Sequence, residues 1–425
     1  DVCSNVTWTN NFASVSDTCG ATGSATVTFT ATDNCGNAST TSATFTIIDD
    51  TDPTITTQAS NLEVQCDGAG NTAQLNAWLA SNGGAVASDV CSNVTWTNNF
   101  ASVSDTCGAT GSATVTFTAT DDCGNASTTS ATFTIIDDTD PTITTQASNL
   151  EVQCDGNGNT AQLNAWLASN GGAVASDVCS NVTWSNNFAS VSDTCGATGS
   201  ATVTFTATDN CGNASTTSAT FTIIDDTDPT ITTQASNLEV QCDGNGNTAQ
   251  LNAWLASNGG AVASDVCSNV TWTNNFASVS DTCGATGSAT VTFTATDNCG
   301  NASTTSATFT IIDDTDPTIT TQASNLEVQC DGAGNTAQLN AWLASNGGAV
   351  ASDICSNVTW TNNFASVSDT CGATGSATVT FTATDNCGNA STTSATFTII
   401  DDTDPTITTQ ASNLEVQCDG AGNTA

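Results

Sequence analysis

The chain has 425 residues with 41 acidic side chains and no lysine, arginine or histidine, so its formal net charge is −41. Nucleic acid is excluded as a partner, because no cationic side chain is present to replace the counterions of a phosphate backbone. With no histidine, lysine or tyrosine to serve as a general base, the composition also argues against an enzyme.

One unit of 88 residues recurs along the chain. The phrase DVCSNVTW or DICSNVTW begins at Asp1, Asp89, Asp177, Asp265 and Asp353. Repetition of this kind is typical of arrays in which each unit stacks on its neighbours, and arrays usually provide reach, stiffness or multivalent contact. No stretch approaches the roughly 20 apolar residues that a membrane span needs, so direct membrane insertion is not expected.

The motif DDTDP marks the domain boundaries, first at residues 49–53 and then once in every repeat. Proline disfavours helix at the residue before it and interrupts regular structure. We therefore predict a partial repeat at 1–50, complete repeats at 51–138, 139–226, 227–314 and 315–402, and a second partial repeat at 403–425. We expect either that the chain samples a longer polymer-like protein or that partial domains meet between chains.

In the 51–138 repeat, apolar residues alternate along 61–66, which predicts a strand. Residues 73–81 have helical spacing, and Asn71 with Gln74 is a candidate capping box. Further alternating strands are predicted at 94–100, 113–120 and 131–136, with Trp78 and Trp96 in the core. The fold class is all-β: tandem antiparallel β-sandwich domains, each with one short inserted helix, arranged as a linear rod.

Each repeat has four cysteines, which are Cys3, Cys19, Cys35 and Cys66 in the first copy. An even count without a leftover thiol predicts two disulfides per repeat, and hence a secreted, extracellular or cell-surface protein. The alternatives are reduced buried thiols or a zinc site, and zinc would need all four thiolates because the chain has no histidine.

The segments VTFTATDNCGNAS (27–39) and TFTIIDDTDPTIT (44–56) resemble the hyalin-repeat (HYR) family. The near-identical copies, rich in threonine, asparagine, serine and aspartate, also look like giant secreted surface proteins of Bacteroidetes-type bacteria. The resemblance implies an immunoglobulin-like fold and a role in extracellular adhesion. The chain departs from the family in its cysteine placement, in the helix at 73–81 and in Phe117, where tyrosine is common.

An immunoglobulin-like strand order has consequences for the cysteines. It would place Cys66 and Cys107 at the lower end of the domain and Cys91 and Cys123 at the upper end. The favoured disulfides in this order are Cys66–Cys107 and Cys91–Cys123, with Cys154–Cys195 and Cys179–Cys211 in the next repeat. Four cysteines allow three pairings, and the sequence alone does not choose between them.

The same order gathers acidic residues where one repeat meets the next. The predicted Ca²⁺ ligands are Asp105, Asp137, Asp138, Asp140, Asp177 and Asp209, because hard cations prefer carboxylate oxygens. The alternative is that these residues are solvated turn formers. A loop at 155–159 is similar to the start of an EF-hand, but its twelfth position is Trp166, which favours a glycine-rich loop that leads into the helix.

The preferred function is a structural segment of an extracellular filament or adhesin stalk, with neighbouring repeats and other copies of the chain as partners. The alternative is a module that binds a surface glycan or ice through threonine-rich strand faces. The threonines in question are Thr114, Thr116, Thr118 and Thr120, beside Thr132 and Thr134. Threonine is, however, also the usual residue of an exposed strand face.

Overall fold

The structure is a computed structural model that describes residues 1–417. The chain forms two compact units, of which the first ends at Asp225 and the second begins at Asp226. Part of the predicted 403–425 repeat, including the loop position Ala421, therefore lies outside the described residues.

The first unit consists of strands, two short α-helices and two 3₁₀-helices, Asn82–Gly84 and Asn170–Gly172. Residues 1–50 form β1 (Val6–Asn10), β2 (Gly23–Asp33) and β3 (Ala38–Ile47). The 51–138 repeat forms β4 (Thr54–Thr57), β5 (Leu62–Gln65), α1 (Thr72–Ala80), β6 (Val86–Ser88), β7 (Val94–Asn98), β8 (Gly111–Asp121) and β9 (Ala126–Ile136). The 139–226 repeat forms β10 (Thr142–Thr145), β11 (Leu150–Gln153), α2 (Thr160–Ala168), β12 (Val174–Ser176), β13 (Thr183–Asn186), β14 (Gly199–Thr208) and β15 (Ala214–Ile224).

The second unit repeats this order of elements. The 227–314 repeat forms β16 (Thr230–Thr233), β17 (Leu238–Gln241), α3 (Thr248–Ala256), β18 (Val262–Ser264), β19 (Thr271–Asn274), β20 (Gly287–Thr296) and β21 (Ala302–Ile312). The 315–402 repeat forms β22 (Thr318–Thr321), β23 (Leu326–Gln329), α4 (Thr336–Ala344), β24 (Val350–Ser352), β25 (Thr359–Asn362), β26 (Gly375–Thr384) and β27 (Ala390–Ile400). No helix in the described part of the chain has the length and apolar character needed to cross a bilayer.

Each complete repeat has a four-stranded sheet and a two-stranded sheet. In the 51–138 repeat the larger sheet has the order β5-β9-β8-β7, and the smaller sheet pairs β4 with β6. Strands β7, β8 and β9 are antiparallel, whereas β5 runs parallel to β9. The prediction of tandem all-β repeats with an inserted helix is confirmed. The prediction missed β4 and β6, because runs of three or four residues are too short to show a period.

The core of each repeat lies between the larger sheet and the helix. In the 51–138 repeat, Trp78 of α1 packs with its ring centroid 5.3 Å from Phe117 and 5.7 Å from Phe133. Its indole Nε1 donates to the carbonyl oxygen of Ser60 over 3.0 Å, which satisfies its buried donor. Full burial of a phenylalanine side chain such as that of Phe117 contributes about 1.5–3 kcal/mol to the stability of the repeat. Each complete repeat has one hydrophobic cluster of this kind, and all residues of a cluster come from a single predicted repeat. The exact domain limits stay a prediction.

The loop before α1 is built differently from the predicted capping box. Asn71 has a φ of 50° and makes no side-chain cap with the helix. Its Nδ2 instead donates to the carbonyl oxygen of Gln65 over 2.7 Å, and its backbone N–H donates to Asp67 over 2.9 Å. The predicted capping box is therefore wrong, because the fully buried Asn71 side chain ties the helix to the end of β5. In the next repeat Asp155 accepts the equivalent bonds from Asn157 and Asn159, so this loop leads into the helix.

The strand register defines two ends of a repeat. The lower end is where Gly111 pairs with Ile135 and where the N–H of Cys66 donates to the carbonyl oxygen of Ile136. The upper end is the one where Val94 pairs with Asp121. The chain leaves a repeat at its lower end, after β9.

Candidate functional site: the cross-linked acidic junction between repeats

Two disulfides join the 51–138 repeat to the 139–226 repeat. Cys66 is bonded to Cys179, and Cys107 is bonded to Cys211, with Cα–Cα distances of 6.0 and 5.2 Å. Cys66 and Cys107 belong to the lower end of one repeat, whereas Cys179 and Cys211 belong to the upper end of the next. The backbone and both disulfides therefore cross the same junction.

The predicted pairs Cys66–Cys107, Cys91–Cys123 and Cys179–Cys211 are wrong. The bonds Cys66–Cys179 and Cys107–Cys211 both join neighbouring repeats, and Cys123 is likewise bonded to Cys19 of the 1–50 segment. Cys91 has a free thiol. Cys154 and Cys195 are also disulfide-bonded. The reason is geometric: the lower end of one repeat faces the upper end of the next, so cysteines at opposite ends of successive repeats meet.

The second unit repeats the arrangement. Cys242 is bonded to Cys355 and Cys283 to Cys387, with Cα–Cα distances of 6.0 and 5.3 Å. Both bonds join the 227–314 repeat to the 315–402 repeat, and they bridge the same sequence separations of 113 and 104 residues as in the first unit.

Backbones approach closely at the junction, which explains two glycines. The N–H of Ala109 donates to the carbonyl oxygen of Cys179 over 2.9 Å. A Cβ on Gly108 would lie 2.5 Å from that same oxygen, and a Cβ on Gly68 would lie 2.5 Å from the oxygen of Val178. Both glycines also have positive φ, of 63° and 73°, so any side chain here would force the repeats apart.

The disulfides place β8 in a continuous covalent path. Cys107 precedes β8 and Cys123 follows it, 16 residues later in the sequence. Cys107 is bonded to the following repeat and Cys123 to the preceding segment. A pull along the array therefore passes from one neighbour to the other through β8, one of the two inner strands of the larger sheet.

The linker after β9 contains Asp137, whose carboxylate has one oxygen without a hydrogen-bond partner. Oδ2 of Asp137 is buried and has no hydrogen-bond partner, as is the case for Asp313 in the second unit. Asp137, Asp177 and Cys179 each present a ligand atom, and these atoms all lie within 4.8 Å of one another. Burial raises the pKa of Asp137, and repulsion from Asp177 and Asp209 adds to the rise.

The other predicted calcium ligands have different partners. Asp209 accepts from the N–H of Gly212 over 2.6 Å and from Nδ2 of Asn213 over 2.8 Å. Burial alone would raise the pKa of Asp209, but the hydrogen bonds from Asn213 and its neighbours outweigh burial and lower it. Asp140 accepts from the N–H of Ala214 over 3.2 Å.

Two further predicted ligands lie outside the Asp137 group. The Asp138 carboxylate accepts from Nε2 of Gln65, which ties the linker to the end of β5. Asp105 lies in the lower loop beside Gly70 and Gly108. The structure therefore brings Asp137 and Asp177 together, with Asp209 near enough to repel Asp137, and it gives Asp105 and Asp138 other surroundings.

The equivalent junction of the second unit encloses a small cavity of ≈ 120 Å³. Its lining includes Asp313, Asp316 and Asp353 beside the disulfide between Cys242 and Cys355. Because both cysteines are bonded, the cavity presents carboxylate and hydroxyl oxygens and no thiolate, which is the ligand chemistry of a hard cation.

The threonine faces have hydroxyls that bond to one another. Oγ1 of Thr114 lies 2.9 Å from Oγ1 of Thr132, and Oγ1 of Thr116 lies 2.9 Å from Oγ of Ser130. Both pairs recur in the 1–50 segment and in the other repeats. These cross-strand bonds stabilise the hairpin of β8 and β9, and they give no support to the alternative of glycan or ice binding.

Sequence reasoning missed several junction residues. Asn213 donates from Nδ2 to the carbonyl oxygen of Asp137 over 3.1 Å, and thereby holds the linker against the upper end of the next repeat. The recurring DNCGN motif was the available signal for Asn213, and the glycine that follows Cys107 was the signal for the close approach at Gly108. Neither signal identifies which repeat supplies the partner.

No protein-family model and no curated protein matches the sequence, so the resemblance to hyalin repeats stays a prediction. Solved structures of tandem extracellular domains do match. The protocadherin GammaB4 extracellular domain is 13% identical with a TM-score of 0.31, covering 89% of this chain and 72% of its own. Drosophila N-cadherin EC1-4 is 8% identical with a TM-score of 0.21, covering 81% of this chain and 100% of its own. Mouse cadherin-23 EC22-24 is 12% identical with a TM-score of 0.23, covering 62% and 100%. These scores are too low to assign a family or a function.

Proposed function

We propose that the chain is a structural segment of an extracellular filament or adhesin stalk, without enzymatic activity, whose repeats are cross-linked to resist extension. The observation that supports the proposal is the pair of disulfides across one junction, Cys66–Cys179 and Cys107–Cys211. Disulfides of this number persist outside the cell and not in a reducing cytosol. An array in which every repeat binds independently would have no need for covalent junctions.

The covalent path limits how far a repeat can lengthen. Between its two anchors, Cys107 and Cys123, the 51–138 repeat contributes 16 residues, which span at most about 55 Å when fully extended. Strand β8 is already extended over 11 of these residues, or about 37 Å. Unfolding of an oxidised repeat therefore releases little length, whereas 88 residues without disulfides would span roughly 300 Å.

Single-molecule stretching of the full chain tests the proposal. In oxidising buffer we expect no step from the 51–138 repeat longer than about 20 Å, and after reduction we expect steps approaching the length of a whole repeat. The double variant Cys107→Ser with Cys211→Ser is the matched control, because it removes the bond at the lower end of β8 and keeps Cys66–Cys179. Long steps in the oxidised wild-type chain would contradict a covalently limited stalk.

We further propose that the acidic junction binds Ca²⁺, which would be held by Asp137 and Asp177 in the first unit and by Asp313, Asp316 and Asp353 in the second. The support is the buried, unpartnered Oδ2 of Asp137 and of Asp313, together with the absence of any lysine or arginine that could neutralise them. A bound divalent cation would supply the missing positive charge and further coordination by oxygen.

Thermal melting with and without Ca²⁺ tests this part. We expect Ca²⁺ to raise the Tm of the wild-type chain relative to a sample in EGTA, and to raise it less when Asp137→Asn and Asp313→Asn are combined. Replacement of Asp105 by Asn is the control, because that residue lies outside the carboxylate group. An equal rise in Tm with Ca²⁺ in all three proteins would contradict Ca²⁺ binding at these junctions.

A further inference from the structure

The two disulfides of one junction close loops that overlap along the sequence. Cys107 lies within the loop closed by Cys66–Cys179, and Cys179 lies within the loop closed by Cys107–Cys211. Every peptide bond between Cys107 and Cys179 is therefore spanned by both disulfides. Two disulfides inside each repeat would have left the linker between repeats spanned by the backbone alone.

A third disulfide extends the overlap through the rest of the 51–138 repeat. Cys19–Cys123 spans every peptide bond from Cys66 to Cys123, and Cys66–Cys179 spans the same stretch. Each peptide bond between Cys66 and Cys179 is thus spanned by at least two disulfides. This stretch includes the loops on both sides of α1 and the loop that joins β7 to β8.

The second unit has the same overlap. Cys242–Cys355 and Cys283–Cys387 both span every peptide bond between Cys283 and Cys355. That stretch contains the DDTDP linker at residues 313–317. Double spanning of a linker is therefore found in both units and is not peculiar to one repeat.

The linker is open to attack by a protease. Residues 137–141 form neither helix nor strand, and Asp138, Thr139 and Asp140 are exposed. Exposed and irregular segments are the preferred sites of proteolytic nicking. Because the chain has no lysine or arginine, trypsin-like proteases find no site in it, whereas a protease specific for acidic residues finds its sites in this linker.

We propose that the overlapping disulfides keep the array in one piece after its backbone has been cut, so that an extracellular protease nicks it without severing it. Hydrolysis of a linker peptide bond breaks one C–N bond and takes up one water, and Cys66–Cys179 and Cys107–Cys211 still join the two pieces. Disulfides persist in the oxidising surroundings where such proteases act. This property differs from resistance to extension, because it concerns a chain whose backbone is already broken.

A single cut at a chosen bond tests the proposal. Thr139→Lys gives the chain its only site for a lysine-specific protease. Free thiols such as Cys91 are first alkylated, which prevents disulfide exchange, and digestion in urea ensures that the site is reached. On a denaturing gel we expect one full-length band without reductant, and two pieces, 1–139 and 140–425, after reduction. Pieces that separate without reductant would overturn the proposal.

Serine variants in the Thr139→Lys background test each bond. We expect the cut pieces to stay joined when either Cys66–Cys179 or Cys107–Cys211 is replaced by two serines, and to separate without reductant when both are replaced. Separation after loss of one bond, or pieces still joined after loss of both, would overturn the overlap. The chain with Thr139→Lys alone keeps all its disulfides, so the test stays decisive if a serine variant fails to fold.

A second cut extends the test to a loop within the repeat. Ala101 is exposed in the irregular segment after β7, so Ala101→Lys combined with Thr139→Lys isolates a piece of residues 102–139. That piece contains Cys107 and Cys123, which are bonded to opposite neighbours. We expect one band without reductant and three pieces after reduction, and release of the middle piece without reductant would overturn the proposal. Stretching of the uncut chain tests the stalk function separately, because it requires no cut.

Discussion

The 1–50 segment and the 51–138 repeat have the same sequence over the strands they share, yet their cores differ. Phe29 is 38% exposed, whereas its counterpart Phe117 is completely buried. The difference comes from the residues that precede the sheet in a complete repeat, namely β5 and α1, which bring Leu62, Leu75 and Trp78 onto it. Three alternating strands thus form a sheet, but the strand and the helix before them create the core.

The largest expected effect comes from the same substitution in the two contexts. Phe133→Ala removes a fully buried ring that contacts Trp78, so we expect the 51–138 repeat to lose about 3–5 kcal/mol of stability. Phe45→Ala, at the equivalent position of the 1–50 segment, should cost less than about 0.5 kcal/mol. Native-state hydrogen exchange of the chain measures both losses of stability, because the substituted peptide differs in mass from the otherwise identical peptides of the other repeats. Equal losses would mean that the 1–50 segment has a closed core.

Loss of a disulfide should also destabilise the two regions to different extents. The 1–50 segment is bonded to the 51–138 repeat by Cys19–Cys123, and Cys3, Cys35 and Cys91 are free. Replacement of both bonded cysteines by serine opens a loop of 104 residues, which we expect to cost about 4 kcal/mol. The equivalent loss of Cys107–Cys211 should cost about half as much, because Cys66–Cys179 still closes that junction. Hydrogen exchange in β2 and in β14 reports the two losses, and equal effects would contradict this reasoning.

The contrast between strand prediction and disulfide prediction has a physical cause. Strands β8 and β9 could be predicted because residues such as Val115 and Phe117 alternate with threonines over a long run. The ends at which Cys66 and Cys107 lie also follow from strand direction. The partner of each cysteine does not, because near-identical repeats offer the same cysteine at every 88th position and only the packing of one repeat on the next selects it. The predicted capping role of Asn71 is wrong for a related reason, since the fold of the loop and not the local sequence pattern brings its side chain to the carbonyl oxygen of Gln65.

Two carboxylates of one junction should respond in opposite directions to neutralisation. The pKa of Asp209 is lowered in the fold, so its contribution to stability is present above its ordinary pKa and is lost as the pH falls through the lowered value. The pKa of Asp137 is raised, so its contribution is present below its ordinary pKa and is lost as the pH rises through the raised value.

At neutral pH without divalent cations we therefore expect Asp209→Asn to destabilise the junction by about 1–3 kcal/mol, through its lost hydrogen bonds. Asp137→Asn should instead stabilise the junction. Melting curves of both variants between pH 3 and pH 7 give the comparison, and the difference between them should shrink as the pH falls. A destabilising Asp137→Asn in EGTA would show that the buried carboxylate has a favourable partner in solution.

The smallest effect is expected where the repeats themselves differ in sequence. Asp122 occupies the position that is Asn210 in the next repeat, and both backbone N–H groups donate to a serine hydroxyl, over 3.2 and 3.1 Å. The Asp122 carboxylate accepts only long bonds from Asn93, of 3.4 and 3.5 Å. We therefore expect Asp122→Asn to change stability by less than about 0.5 kcal/mol, as measured by hydrogen exchange of β8. A larger change would mean that the turn after β8 is held by charge, and that the repeats are less equivalent than their sequences indicate.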